Sequence, residues 1–523
     1  MPAVFHYGED HLTAGEALAV ARCLTESEIT SQVAERINSS HRDVQEIVES
    51  GKVVYGINTG FGSLCNTIIS KEDTQKLQDN ILRSHSVGVG QPVPLEIARL
   101  MLVLKLQSLS QGYSGISLKV LNRIQWHLQH DLIPLVPRQG SVGASGDLAP
   151  LAHLFLPLIG LGKLWNGNSY VDSAEILKQY DQGPLELGPK EGLALINGTQ
   201  FIAAYAIRAI ERFYNCLETA DIVGAMSLES YLGSESPFDS ELHELRPFRG
   251  SQLVAHRLKQ LLQNSEMVAS HVDCERVQDP YSMRCIPQVH GASRNAWKHL
   301  NELVNVELNS VTDNPIILNK DKSISGGNFH GQLLALPLDY TTMAAAEIGN
   351  ISDRRTYLLL EGSVEGLPSL LMKNTGINSG FMIPQYTSAA LVSENKSLSF
   401  PSSVDSIPTS LGQEDHVSMG SISGRKLNQV IDNLENILAV ELVTAAQAFD
   451  YRKPLKSSAI LEACHELIRD HIDHAEEDRV FAKDIQKANA LIVSRSLVET
   501  ANEAAGKNDI DLNGPYDELF RFY

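Results

Sequence analysis

The sequence predicts a mainly α-helical fold, in which long helices form a bundle core and a smaller N-terminal part mixes helices with short strands. Apolar residues recur at steps of three and four over long segments, as on the buried face of a helix. Glycine-rich turns instead interrupt the first 200 residues. We therefore expect an N-terminal domain over residues 1–200, a central bundle over 201–480, and a C-terminal helix with a polar tail over 481–523.

Three segments carry the helical prediction. Residues 193–232 and 331–360 are two of them, and both exceed the usual length of about three turns. In the third, one apolar face is marked by Leu427, Val430, Ile431, Leu434, Ile437, Leu438 and Leu442. Such wide apolar faces indicate a bundle core and contacts between copies of the chain. The polar tail after Val498 is predicted to be peripheral.

Composition narrows the class of protein. The chain has 523 residues, 43% of them hydrophobic, and a net charge of -20, which argues against binding nucleic acid or an anionic membrane. Neither a signal-peptide core nor an apolar run of spanning length is present. The six cysteines are scattered without a CxxC pair, so we expect reduced thiols, a cytoplasmic location and no zinc site.

The segment over residues 139–150, QGSVGASGDLAP, is the most informative turn. Gly140, Gly143 and Gly146 allow backbone conformations that are closed to other residues. One interpretation is a loop leading into a helix, with Asp147 as the N-cap and an anion site at the helix start. A nucleotide-binding loop is not expected, because no Gly-Lys-Ser/Thr follows.

A second interpretation uses Ala144-Ser145-Gly146 itself. In a tightly bent turn, the amide nitrogen of Gly146 can reach the carbonyl carbon of Ala144. Cyclisation with loss of two waters would turn Ser145 into a methylidene on an imidazolone ring, which is a strong electrophile. Standard side chains are not electrophilic, so a protein that needs such a group must bind a cofactor or make one.

With this turn, the chain resembles the histidine and aromatic amino acid ammonia-lyases and aminomutases. The turn GSVGASGDLAPLAHL matches the motif of that family. Further matching stretches are VVYGINTGFG (53–62), EGLALINGTQ (191–200), DPYSMRCIPQVHG (279–291), ELNSVTDNP (307–315), GGNFHG (326–331) and GQEDHVSMG (412–420). The resemblance implies a methylidene-imidazolone group formed from Ala144-Ser145-Gly146, no metal or nucleotide, and a homotetramer whose active sites are shared between subunits.

The resemblance also implies roles for individual residues. Tyr55 would be the general base, and Gly60 and Gly62 would begin a lid loop. Arg284 would bind the substrate carboxylate, and Tyr281 would stabilise the reacting centre, both from a neighbouring subunit. Asn197 would bind the amino acid head group or the ring of the prosthetic group, and Asp147 would assist ring formation. The remaining pocket residues are Gln278, Gln288, Asn328 and Phe329.

Two positions select the substrate. His85 can pair with an imidazole, although a Ser-His pair also occurs in tyrosine-using relatives, where it can bond a phenol. Glu414 suits histidine, because a carboxylate can accept an imidazole N–H or oppose an imidazolium charge. The expected reaction is conversion of L-histidine to trans-urocanate and ammonia. A tyrosine ammonia-lyase or tyrosine aminomutase is the alternative, and a non-catalytic helical scaffold is a more distant one.

Overall fold

The computed structural model describes residues 4–51, 53–60, 62, 69, 73–272 and 276–522. Cys65, Cys274 and most of the predicted lid loop after Gly62 lie outside these residues. No described helix is long and apolar enough to cross a membrane.

Helices dominate the described chain, as predicted. In chain order they are α1 (Ala14–Ala21), α2 (Ser31–Glu49), α3 (Thr74–His85), α4 (Leu95–Ser110), α5 (Leu118–Gln129), α6 (Leu148–Phe155), α7 (Ser173–Gln179), α8 (Glu191–Ile196), α9 (Gln200–Ser230), α10 (Ser240–Glu244), α11 (Arg249–Leu261), α12 (Glu266–Ala269), α13 (Tyr281–Arg284), α14 (Ile286–Leu308), α15 (Gln332–Leu360), α16 (Met382–Leu398), α17 (Gly420–Asp450), α18 (Ala459–His471), α19 (Phe481–Val493), α20 (Ser496–Lys507) and α21 (Asp517–Phe520).

The strands are short, and most lie in the N-terminal part. They are β1 (Phe5–His6), β2 (Ser27–Glu28), β3 (Val89–Pro92), β4 (Ile133–Pro134), β5 (Pro137–Gln139), β6 (Lys163–Trp165), β7 (Tyr170–Asp172), β8 (Ile316–Asn319) and β9 (Lys322–Ile324). β1 pairs with β2 in parallel, whereas the β3–β5, β4–β6–β7 and β8–β9 pairings are antiparallel.

The core is a bundle of long helices. α17 packs along both α9 and α15, and α14 packs against α9, α11 and α15. The predicted apolar face of α17 is buried throughout, from Leu427 to Leu442. α9 is buried almost all round, because neighbouring helices surround it. The predicted bundle is therefore confirmed; the division into residues 1–200, 201–480 and 481–523 stays a prediction.

Two expectations about the helices were wrong. The segment 193–232 is not one helix, because the chain leaves helical geometry at Asn197–Thr199, between α8 and α9. Gly198 has φ +120°, which a helix does not use. The tail is also not wholly peripheral, since Leu512 and Phe520 are buried in the main core. The tail is polar in average composition, but these two apolar side chains pack against the core.

Candidate active site

The glycine-rich turn is shaped by contact with the break between α8 and α9. Gly143 and Gly146 adopt φ +72° and +78°, and a Cβ at Gly146 would lie 2.0 Å from the carbonyl oxygen of Gly198. The Gly198 N–H donates to the Ser145 carbonyl (3.2 Å), and the Asp147 N–H donates to the Gly198 carbonyl (2.8 Å). The turn is thus held from both sides of Gly146, in a space that admits only glycine. This close approach fits the cyclisation predicted for Ala144-Ser145-Gly146.

Asp147 fixes the turn to the bundle. It precedes α6 as predicted, but its side chain makes no capping bond to that helix. Its carboxylate instead accepts the backbone N–H of Ile202 (3.0 Å) near the start of α9, and the hydroxyl of Ser141 (3.2 Å). Burial raises the pKa of Asp147 to about 7, and these hydrogen bonds partly oppose that rise. Asp147 is therefore the N-cap residue of α6 by position, as predicted, while its side chain holds the first turn of α9.

Ser145 and Glu414 come together from distant parts of the chain. The Ser145 hydroxyl lies 3.5 Å from Glu414 Oε1, while Thr409 donates its hydroxyl to Oε2 at 2.8 Å. The Thr409 N–H also donates to the Glu414 carbonyl at 2.9 Å, across a short turn over Ser410–Gly412. Both backbone and side chain therefore hold the Glu414 carboxylate beside the turn.

His85, the last residue of α3, lines the same space. Its Nδ1 lies 3.0 Å from the hydroxyl of Ser84, so Nε2 is the ring nitrogen left for a ligand. Burial lowers the pKa of His85, and the Ile81 carbonyl and the charge of Glu414 partly oppose that effect. The imidazole is neutral at neutral pH and offers one donor and one acceptor.

Tyr55 lies in a turn rather than in a strand, and it is half-buried. The backbone N–H of Gly62 donates to its phenolic oxygen at 3.2 Å. An N–H directed at this oxygen favours negative charge on it, as a general base requires. Tyr55 and Ser145 line the same two cavities, and the role of Tyr55 as the general base stays a prediction.

Asn197 is held by a buried ionic cluster that the sequence interpretation missed. Its side-chain amide donates to the Asn314 carbonyl (2.7 Å) and toward Asp313 (3.4 Å). Lys190 pairs with Asp313 at 2.5 Å, and Lys105 donates to the carbonyl of Asn197. A single lysine inside the apolar run of α4 was the available signal for Lys105, because charged residues are seldom buried without a partner.

Two adjoining cavities meet at the turn. One has a volume of about 490 Å³ and is lined by His85, Leu148 and Asn197 among others. The other, about 570 Å³, is lined by Phe329, His330 and His416 among others. Both are bordered by Tyr55, Gly62, Ser145 and Glu414. Either volume is sufficient for an amino acid.

Three predicted site residues lie elsewhere on the chain. Arg284 donates to the Gln278 side chain (2.8 Å) and to the Asp279 carbonyl (2.9 Å), and its guanidinium stacks 4.5 Å from the centre of the Tyr281 ring. Tyr281 is 71% exposed. None of the three lines either cavity at Ser145. They form a preassembled surface cluster, α13 with its preceding loop, that is separate from the turn within one chain.

Two further predicted pocket residues also lie outside both cavities. Asn328 is exposed and donates to the Val311 carbonyl at 3.2 Å. Gln288 lies on α14, and its buried Oε1 has no hydrogen-bond partner among the described residues. No group of three or more His, Cys, Asp or Glu residues suited to a metal ion occurs in the described part of the chain.

Known proteins resemble this chain over nearly its full length. The family model for aromatic amino acid lyases matches residues 12–470. A histidine ammonia-lyase of Natranaerobius thermophilus is 45% identical over 482 residues, covering 92% of this chain and 95% of that protein. The crystal structure of histidine ammonia-lyase from Trypanosoma cruzi aligns with a TM-score of 0.90 at 38% identity, over 99% and 98% of the two chains. Tyrosine aminomutase from Streptomyces globisporus aligns with a TM-score of 0.91 at 32% identity, over 98% and 100%.

Proposed function

Because the chain belongs to the aromatic amino acid lyase family, we propose that it removes ammonia from L-histidine to form trans-urocanate without oxidation. The observation that carries the choice of histidine is the Glu414 carboxylate, fixed by Thr409 within 3.5 Å of the Ser145 hydroxyl and sharing a cavity with His85. The similar histidine ammonia-lyases support the same choice.

Ring recognition follows from these two side chains. The Glu414 carboxylate accepts an N–H of the substrate imidazole, and it opposes positive charge when the ring is protonated. The neutral His85 imidazole pairs with the second ring nitrogen through Nε2. A phenyl ring would offer no hydrogen bond to His85 Nε2 or to Glu414 Oε1, which is costly for polar groups in a half-buried cavity.

The prosthetic group belongs to the same proposal. Ala144-Ser145-Gly146 forms a methylidene-imidazolone, and the absence of space for a side chain at Gly146 supports this ring closure. The group supplies an electrophile that eases the departure of ammonia. The family to which the chain belongs supports such a group as well.

The remaining residues move a proton and orient the substrate. Tyr55 accepts the proton from the β-carbon at its phenolic oxygen, where the Gly62 N–H stabilises negative charge. The side chain of Asn197 directs its Nδ2 protons to Asn314 and Asp313. Its side-chain oxygen, Oδ1, is therefore the atom that can accept an N–H of the substrate amine.

The carboxylate clamp comes from a second copy of the chain. Arg284 has a planar guanidinium suited to a carboxylate, yet with Tyr281 and Gln278 it lies outside the cavities at Ser145. α15 also exposes an apolar stripe, Leu333, Leu336, Tyr340 and Met343, which is typical of a buried subunit contact. We propose a homotetramer with shared sites. The four cysteines that the structure describes are free, and two of them are buried, which suits a cytoplasmic location.

A tyrosine ammonia-lyase or aminomutase is the second candidate. The Ser84–His85 pair favours it, since Nε2 can equally bond a phenol, and a tyrosine aminomutase shares the fold. Glu414 argues against it, because a carboxylate beside a neutral phenol ring gains less than one beside an imidazole.

Parallel assays with histidine, tyrosine and phenylalanine, with product identification, test the proposal. We expect urocanate from histidine and little turnover of the other two. Cinnamate-type or β-amino acid products from tyrosine, with none from histidine, would replace the proposal by the second candidate.

A further inference from the structure

Lys105 is a buried cation at an otherwise apolar position. It lies on α4 between Leu104 and Leu106 and is 1% exposed. Burying an ammonium group is costly unless it is paired and hydrogen-bonded. An aliphatic side chain would fill this part of the core without that cost. The charge therefore calls for an explanation beyond packing.

Lys105 acts on one particular peptide unit. Its ammonium donates to the Asn197 carbonyl. The carbonyl of Asn197 and the N–H of Gly198 belong to the same planar unit, and in a trans peptide they point in opposite directions. Fixing the carbonyl therefore directs the Gly198 N–H at its acceptor, the Ser145 carbonyl 3.2 Å away.

The Ser145 carbonyl is part of the amide whose nitrogen must react. A hydrogen bond to that carbonyl favours negative charge on the Ser145–Gly146 amide, so it eases loss of the Gly146 N–H proton. Among the described residues, the Gly146 N–H makes no hydrogen bond that would compete. The amide nitrogen is thus polarised and unengaged.

We propose that Lys105 is a positioning residue for formation of the prosthetic group: through the Asn197–Gly198 peptide it holds and polarises the Ser145–Gly146 amide for ring closure. This inference rests on the proposed function, because it requires that the ring forms. Lys190, the second cation of the cluster, pairs with Asp313 and has no contact with the Asn197 carbonyl among the described residues. The two lysines can therefore be separated by experiment.

Ring closure is balanced without an oxidant or a reductant. The Gly146 nitrogen bonds to the Ala144 carbonyl carbon, and the carbonyl oxygen leaves as water with the amide hydrogens of Gly146 and Ser145. The Ser145 hydroxyl leaves as a second water with the hydrogen of its Cα, which creates the methylidene. Lys105 forms no covalent bond and consumes no proton.

The state of Lys105 is compatible with this role. Burial lowers the pKa of Lys105 to about 7, while the nearby charge of Asp313 opposes the shift. A substantial charged fraction is present at neutral pH, and a hydrogen bond from a charged donor is stronger than one from a neutral donor.

The test follows loss of two waters by intact-mass spectrometry after a short pulse of cell-free synthesis, with no assay of activity. We expect Lys105→Met to cyclise at least about tenfold more slowly than the natural chain, since a charged hydrogen bond is lost. Lys105→Arg should restore most of the rate. Lys190→Met is the matched control, because it removes a buried cation from the same cluster, and it should cyclise at nearly the natural rate.

Each other result has a definite meaning. Equal rates for Lys105→Met and the natural chain would overturn the inference, and so would equal slowing by Lys190→Met, which would indicate only a structural effect. If Lys105→Met does not fold by circular dichroism, Lys105→Gln replaces it; cyclisation of that variant as fast as Lys105→Arg contradicts the inference. A natural chain that never loses water instead refutes the proposed prosthetic group.

Discussion

The two parts of the candidate site differ in how the chain builds them. The part around Ser145 is assembled within one chain, from α3, the glycine-rich turn, the α8–α9 break and the Thr409–Glu414 turn. The part around Arg284 is a compact surface cluster whose members contact one another and not the turn. In the proposed function, the first part holds the reacting atoms and the groups that bind the ring, and the second holds the cation for the substrate carboxylate. The difference shows that one chain brings the groups around Ser145 together but leaves the Arg284 cluster apart from them; under the proposed homotetramer, a neighbouring subunit would supply that cluster.

The largest effect is expected from Ser145→Ala, which tests whether the first part carries the chemistry. Without the Ser145 hydroxyl no methylidene can form, so kcat should fall by about a thousandfold or more. Intact mass should then show no loss of two waters, and the thermal midpoint should stay near the natural value. Full activity in this variant would show that the reaction does not need an electrophile made from Ser145.

The separation of the two parts is tested by mixing subunits. Arg284→Met and Ser145→Ala chains, each nearly inactive alone, should regain activity when they are expressed together with different affinity tags. Random mixing of equal amounts leaves roughly one site in four with both natural residues, so about a quarter of natural activity is expected in the doubly purified protein. If proven mixed oligomers stay inactive, Arg284 and Ser145 act from the same chain; an Arg284→Met chain that is fully active alone would show that Arg284 has no role.

Ring recognition within the first part is tested by Glu414→Gln. The amide keeps the shape of the side chain but loses the negative charge, so kcat/KM for histidine should fall by about ten- to a hundredfold. Asp405→Asn removes an exposed carboxylate that lines neither cavity and is the matched control; its activity should change by less than about twofold. An unchanged preference for histidine in Glu414→Gln would assign ring selection to His85 alone.

The smallest effect concerns the anchor of the turn, Asp147, and the pH dependence of stability. Its pKa is raised to about 7 by burial, so the folded state keeps a proton that the unfolded chain has already released. The retained proton adds to the free energy of unfolding. That addition is fully present below about pH 4, the usual range of a carboxyl pKa, and is lost as pH rises toward 7, at up to about 1.4 kcal/mol per pH unit.

Thermal midpoints measured across this pH range are the readout. Relative to Asp147→Asn, which does not titrate, the natural protein should lose stability as pH rises from about 5 to 7. The exposed Asp405→Asn variant should follow the natural curve in parallel. Parallel curves for Asp147→Asn would show that Asp147 is ionised throughout, against the effect of its burial.

The sequence alone was sufficient for the fold class and for the backbone bend of the glycine-rich turn. Period-three and period-four apolar patterns predicted α17 and α15, because a helix that faces a core must repeat in that way. Glycines at 143 and 146 predicted a bend that no other residue tolerates, and the structure has both at positive φ. The motifs around Ser145, His85 and Glu414 predicted groups that now line one cavity.

Only the tertiary structure decided which groups meet. The sequence pattern placed Asn197 in a continuous helix. Packing against the turn breaks the helix there, because the Gly198 carbonyl accepts the Asp147 N–H. Lys105 gave only a weak signal, because a lysine on a helix usually faces solvent, and its acceptor lies 92 positions away in sequence. The order of the motifs along the sequence likewise did not indicate that Arg284 lies apart from Ser145 within one chain. Local patterns determine elements, whereas distances between elements depend on how the whole core closes.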